Sequence, residues 1–155
     1  MIKKLGFDAV CSCRLGNVKR MDLSWYFRRL ISFVIKIPIV ISYKRMIPKL
    51  VQDFERDHDD VFPVMLPNWD HTARSGANGY LYSNSSPELF EEHATNVLDA
   101  IVSRSSDKQV CFIKSWNEWG EGNYMEPDLK YGKGYIKALR RAIDKVFNYG
   151  EQTHY

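Results

Sequence analysis

At 155 residues, with 45% apolar and 26% charged side chains, the chain has the size and make-up of one soluble globular domain able to bury a core. Its net charge of +3, from 22 basic and 19 acidic residues mixed along the length, is too weak to argue for a nucleic-acid partner. Cys11, Cys13 and Cys111 make neither a disulfide framework nor a zinc site, because the C-x-C lacks a second pair and a nearby His.

Reduced thiols of that kind suit a cytoplasmic protein. The opening "MIKKLGFDAV" has no apolar stretch of the signal-peptide type. The most apolar segment, Leu30 to Ile41, is broken by Lys36 and Pro38 and falls short of the ~20 residues a membrane-spanning helix needs. The expectation is a single cytoplasmic domain over 1–155 without a transmembrane segment. Aromatics are abundant at 14%, with four Trp and nine Tyr. They serve core packing or a platform for sugar rings, and composition alone favours packing.

In chain order, Phe7 to Cys11 reads as a first strand, followed by a long, partly helical connection through Trp25 to Val34. Ile39 to Ser42 reads as a second strand, and Lys44 to Glu55, interrupted by Pro48, as a helix. The run "VFPVML", Val61 to Leu66, suits a buried strand if Pro63 sits where no ladder donor is needed. A polar loop, "PNWDHTARSGANGYLYSNSS", follows it. Ser86-Pro87-Glu88 has the order of an N-cap, a first-turn proline and a first-turn acid. Apolar positions then recur from Leu89/Phe90 through His93/Ala94 and Val97/Leu98 to Ile101/Val102 with helical spacing. Val110 to Ile113 is a fourth strand, and Gly134 to Tyr149 a last helix stopped by Gly150.

This alternation predicts an α/β fold with a parallel sheet and about four strand–helix units. Such units could close a small open sheet or form half of an eight-stranded barrel. The two most unusual loops, after Leu66 and after Lys114, both follow strand C-termini, the active-site face of an α/β barrel, and so favour the barrel.

The second of those loops is "SWNEWGEGNYMEPD", Ser115 to Asp128, with Glu118, Glu121 and Glu126 crowded among tryptophans. A solvated loop with Trp116 and Trp119 in the core would need neither the glycines nor the bulk. Glycosidic chemistry, by contrast, uses one protonated and one ionised carboxyl group, and neighbouring carboxylates beside apolar walls divide those roles. Glu118 and Glu121 are spaced for that division, with Trp116 and Trp119 as walls.

The motif "WNEWGEGNYMEPD" resembles the signature of the WbsX-type family of polysaccharide-biosynthesis proteins, which is similar in turn to glycoside hydrolase family 99. The resemblance continues through "LKYGKGYIKAL" and covers "FPVMLPNWDHTARSG" and "SSPELFEEHATNVLDAI", so it runs from about Phe62 to Ala142, with "LGFDAV" a fainter echo. It implies a (β/α)8 barrel acting on sugar chains, with Glu118 as general base toward the sugar's own 2-hydroxyl and Glu121 as general acid. The hydrolases usually carry His where this chain has Gly120, which leans the expectation toward glycosyl transfer in O-antigen or capsule synthesis. Trp69, Asp70 and Arg74 fall in the family's polar substrate loop and, with Trp116, Asn117, Trp119 and Glu126, are expected to bind an oligosaccharide or sugar-nucleotide. An Asp70–Arg74 pair suits hydroxyl recognition, a loop-closing salt bridge equally, and His71 lies one step from both.

No metal-ligand cluster or phosphate-cradling glycine loop appears in the sequence, so no cofactor is implied. A whole barrel needs roughly 250 residues. The expectation is therefore a carboxy-terminal piece of a WbsX-like barrel, its open edges met by an amino-terminal half-barrel partner or by self-association. A non-catalytic carbohydrate-binding module using Trp69, Trp116 and Trp119 is the competing expectation.

Overall fold

The computed structural model describes residues 5–13 and 23–147, excepting the side chains of 23–25. Three parallel strands, β1 (Val10–Ser12), β3 (Val61–Met65) and β5 (Phe112–Ile113), form one sheet in the order β1-β3-β5. The strand between them in sequence, β2 (Ile39–Ser42), lies elsewhere. It pairs in parallel with β4 (Tyr80–Ser83), in register Ile39↔Tyr80 through Ser42↔Ser83. Each crossover between sheet strands thus contributes one strand to a small side sheet. The expected four strands of one sheet become three plus a separate pair.

Pro63 is accommodated by register. Val10 N–H donates to Asp60 and Lys114 N–H to Met65, so alternate residues of β3 address β1 and β5 in turn. Pro63 falls in the set facing β5, whose pairing begins only at Val64. The missing donor therefore lies just before that ladder starts.

The helices are α1 (Leu23–Ile35), α2 (Tyr43–Leu50), α3 (Asp53–Asp57), α4 (Thr72–Ser75), α5 (Pro87–Asp99) and α6 (Gly134–Phe147). The expected helix Lys44–Glu55 is two helices that separate at Val51 and Gln52, not at Pro48. Tyr43, Met46, Ile47 and Leu50 all face inward at helical spacing, and this buried stripe carries α2 past its proline. Gln52 and Glu55 then form a capping box that starts α3. The first strand is shifted to Val10–Ser12, and the long polar loop holds α4, a 3-10 turn and β4. Gly150 lies outside the described residues.

Ser86 caps α5 as its sequence predicts, its hydroxyl accepting from Leu89 N–H at 3.3 Å, with Pro87 in the first turn. Phe90, Ala94, Val97 and Ile101 are fully or almost fully buried against Tyr135, Ala138 and Ala142 of α6. Burial of Phe90 or Val97 is worth about 2–3 kcal/mol each, and the alanines let the helices approach. Arg141 and Glu91 close the rim of this contact at 2.6 Å. A second core gathers the α2 stripe with Leu66, Trp69 and Tyr82.

Alternating parallel β–α–β units of this kind are consistent with part of a barrel. Phe112 and Ile113 on the outer strand, and Tyr26, Phe27, Leu30, Phe33 and Val34 on α1, are exposed among the described residues.

Candidate functional site

The loops after β3 and β5 leave neighbouring parallel strands at the same end of the sheet, and there they interlock. The acidic motif is a tight hairpin. Asn117–Glu118 (β6) pairs antiparallel with Asn123–Tyr124 (β7), and Trp119–Glu121 between them forms one 3-10 turn. A 3-10 turn has about three residues per turn, so residues three apart eclipse. Glu118 and Glu121 therefore project to the same side.

That side holds Arg74, on α4 of the neighbouring loop. Its Nη2 lies 2.9 Å from Glu118 Oε1 and its Nη1 3.1 Å from Glu121 Oε1. One guanidinium spans both carboxylates, a task suited to its planar fork. Lys114 Nζ at 3.5 Å and His71 Nε2 at 3.7 Å add two more nitrogens around Glu121. The Glu121 side chain is 15% exposed and that of Glu118 40%, so the pair is unequal in its access to solvent. His71 is held in turn by Ser75 Oγ at 2.9 Å from its Nδ1 and by stacking on Trp69. Burial, with Cys13 and then the Glu121 charge adding, pushes the nearby Tyr80 hydroxyl up to about 12.

The hairpin is fixed on its partner loop by its backbone. Asp70 N–H donates to Glu121 O at 2.8 Å. Gly122 next to it has φ +48°, and a Cβ there would come within 2.7 Å of Asp70 Cβ. Asn123, wholly buried, donates from Nδ2 to Asn68 O at 2.6 Å and Lys114 O at 2.8 Å, while its Oδ1 accepts from Ser115 at 3.0 Å. Asn68 Oδ1 accepts from Tyr124 N–H. Gly120 also has a reason: an added Cβ would sit 3.2 Å from Glu118 Oε1 and 3.3 Å from Arg74 Nε, crowding the ion pair.

The structure thus brings Asp70, Arg74, Glu118 and Glu121 together, with His71 and Lys114. Asp70 and Arg74 do not pair with each other, however. Asp70 Oδ1 accepts from Thr72 N–H at 2.9 Å and Thr72 Oγ at 2.5 Å, starting α4, and Arg74 reaches across to the hairpin. The third acid, Glu126, accepts the Trp119 indole N–H. Trp119 stacks on Tyr124 at 3.7 Å and stays 48% exposed, while Trp116 is 50% exposed. Neither walls the carboxylates off from water. Trp69 is 6% exposed, within the second core. Asn117, on the first strand of the hairpin, is exposed.

Lys114, Asn68, Asn123 and Tyr124 escaped the sequence reading. Lys114 alone carried a signal, a cation at the last position before the motif. Among the described residues no three His, Cys, Asp or Glu side chains are grouped to hold a metal.

By its family match this parallel strand–helix scaffold falls in a carbohydrate-related enzyme family. The family model described as Glycosyltransferase WbsX matches residues 2–139, and the chain belongs to that family. The match begins far ahead of Phe62 and does not by itself mark the chain as a carboxy-terminal piece. Similar curated proteins include an uncharacterized protein WxcX from two strains of Xanthomonas campestris pv. campestris. One is 29% identical over 108 residues, 69% of this chain, and the other 31% identical over 103 residues, 63% of this chain. The chain spans 15% of the length of each. Among solved structures, a glycoside hydrolase-like protein aligns over 88% of this chain and 37% of its own, at 16% identity and a TM-score of 0.45.

Proposed function

We propose that this chain carries an acid–base site for making or breaking a glycosidic bond in cell-surface polysaccharide synthesis, with Glu118 and Glu121 as its working pair. The observation that carries this reading is the convergence of both carboxylates on Arg74 at the strand-end loops. Glu118, the more exposed, serves as base, and Glu121, the more enclosed, as acid; Arg74 and Lys114 favour the ionised form of Glu121, so the acid role requires the bound substrate to part it from them. Arg74 occupies only Oε1 of each glutamate, so Oε2 of Glu118 is open to an incoming sugar hydroxyl while the guanidinium orients that carboxylate. The site belongs to the carboxy-terminal part of a larger (β/α)8 barrel, in the cytoplasm. Its substrate is an oligosaccharide or sugar-nucleotide.

The half-exposed indoles of Trp116 and Trp119 favour a second reading, a binding surface for sugar rings without turnover. Separate Glu118→Gln and Glu121→Gln variants decide between them. A panel of sugar-nucleotides and aryl glycosides is assayed for donor consumption and aglycone release. Turnover by the parent chain that either variant abolishes supports the enzyme. Sugar binding without turnover in any of the three supports the binding surface.

A further inference from the structure

Helix α1 is turned inside out. Phe27, Leu30, Phe33 and Val34 recur at helical spacing and are 61% to 73% exposed, whereas the polar side of the helix faces the protein. Ser32 is buried, its Oγ 2.6 Å from Ile37 O and 3.3 Å from Ala77 O. Arg29 Nη1 donates to Asn78 O at 2.9 Å. Rolling the apolar stripe inward would break these contacts, so they hold it outward. An apolar face kept at a surface marks a place where something docks. On the flank of α1, Ile31, Ile37, Pro38 and Val40 line a groove of about 320 Å³ with Arg28 in its wall.

Charge decides what fits there. Acids and bases both occur along the chain, but their balance changes with position. From Leu23 to Gln52 it carries Arg28, Arg29, Lys36, Lys44, Arg45 and Lys49 and no acidic residue, whereas acids outnumber bases over residues 53–155. Of these cations all but Arg29 are exposed. A second copy docked on the same face would set the two basic segments against each other, which is repulsive. A surface with anionic headgroups over an apolar interior satisfies both the stripe and the cations. No helix of the described residues is long and apolar enough to cross a membrane, so α1 would lie in the interface and not span it.

We infer that α1 is a membrane-surface anchor, which seats the chain on a leaflet rich in anionic phospholipid. Phe27, Leu30, Phe33 and Val34 enter the boundary of the acyl chains, and Arg28 and Lys36 stay at the phosphates. The inference uses nothing of the glutamate pair and stands or falls apart from it.

The test is sedimentation of the full chain with vesicles, one set of phosphatidylcholine alone and one of phosphatidylcholine and phosphatidylglycerol in equal parts. The chain should pellet with the anionic set, bind it roughly tenfold or more tightly than the neutral set, and lose that preference in high salt. Leu30→Gln combined with Phe33→Gln, both at exposed positions, should leave thermal melting unchanged and weaken anionic-vesicle binding by roughly tenfold or more. Arg28→Gln and Lys36→Gln should each weaken it by roughly fivefold. Leu129→Gln, fully exposed but outside α1, is the control and should change nothing. No pelleting with anionic vesicles, or pelleting that the Leu30 and Phe33 changes leave unaltered, overturns the anchor. So does a solution dimer that the same changes dissociate, which places a second copy on the stripe. Equal binding to both vesicle sets overturns the assignment to an anionic surface.

Discussion

Gly122 joins the two loops of the site at their closest point, so Gly122→Ala is the sharpest probe of how they are assembled. Two effects add. The backbone there has φ +48°, where an L-residue loses about 1–2 kcal/mol. The new methyl group would also lie 2.7 Å from Asp70 Cβ and 3.1 Å from Asp70 N, the atom that donates to Glu121 O. Overpacking of this kind typically adds about 1–3 kcal/mol. The sum, about 2–5 kcal/mol, should lower the thermal midpoint by roughly 5–15 °C for a domain of this size. Gly132→Ala is the internal control. Its φ of +53° is nearly the same, but no atom lies within 4 Å of the added methyl, so only the backbone effect remains, a drop of roughly 2–6 °C. Calorimetric melting of the two variants beside the parent measures the difference directly. Equal drops would refute the claim that the hairpin is pressed onto Asp70.

Three further predictions concern the core and the ion pair. His93 is fully buried on α5 with no well-formed hydrogen bond at either ring nitrogen, and burial, opposed only weakly by the Val64 backbone, depresses its pKa from 6.5 to about 4. The unfolded chain therefore binds more protons between these values. Stability should be full above pH 6.5 and fall by roughly 3 kcal/mol as pH drops to 4; His93→Leu should flatten the pH dependence of urea midpoints in that window. Asn123→Asp keeps the shape but turns a carboxylate oxygen toward the Asn68 and Lys114 carbonyls, and should cost about 3 kcal/mol or more in denaturant unfolding. Arg74→Lys keeps the charge but not the fork, and half of the side chain is in solvent. It should change stability by less than about 1 kcal/mol while lowering any measured turnover more than tenfold.

How much of this the sequence reveals depends on whether the signal is local. The start of α5 is written in three consecutive residues, Ser86, Pro87 and Glu88, and its buried face in a regular spacing. The pairing partner of Ile39–Ser42 is not local: Tyr80–Ser83 hides within a polar stretch, four residues long, and only cross-strand contact makes it a strand. The site divides the same way. Three-residue spacing places Glu118 and Glu121 on one side of a turn, but nothing in the chain announces that Arg74, far away in sequence, will bridge them. Asp70 and Arg74 invite pairing by proximity, yet a helix start claims the first and the hairpin the second. The tryptophans mislead because indole rings suggest walls, whereas the turn leaves Trp116 and Trp119 at the rim.

The burial of Asn123 between Asn68 and Lys114 has a consequence for engineering. The glutamate-bearing segment takes its shape from three carbonyl and amide contacts supplied by other parts of the chain, so it is not a portable cassette. Grafting Ser115–Asp128 alone onto another scaffold would deliver the acids without their spacing; the transplant has to include residues 68–74 and the end of β5 as one indivisible graft.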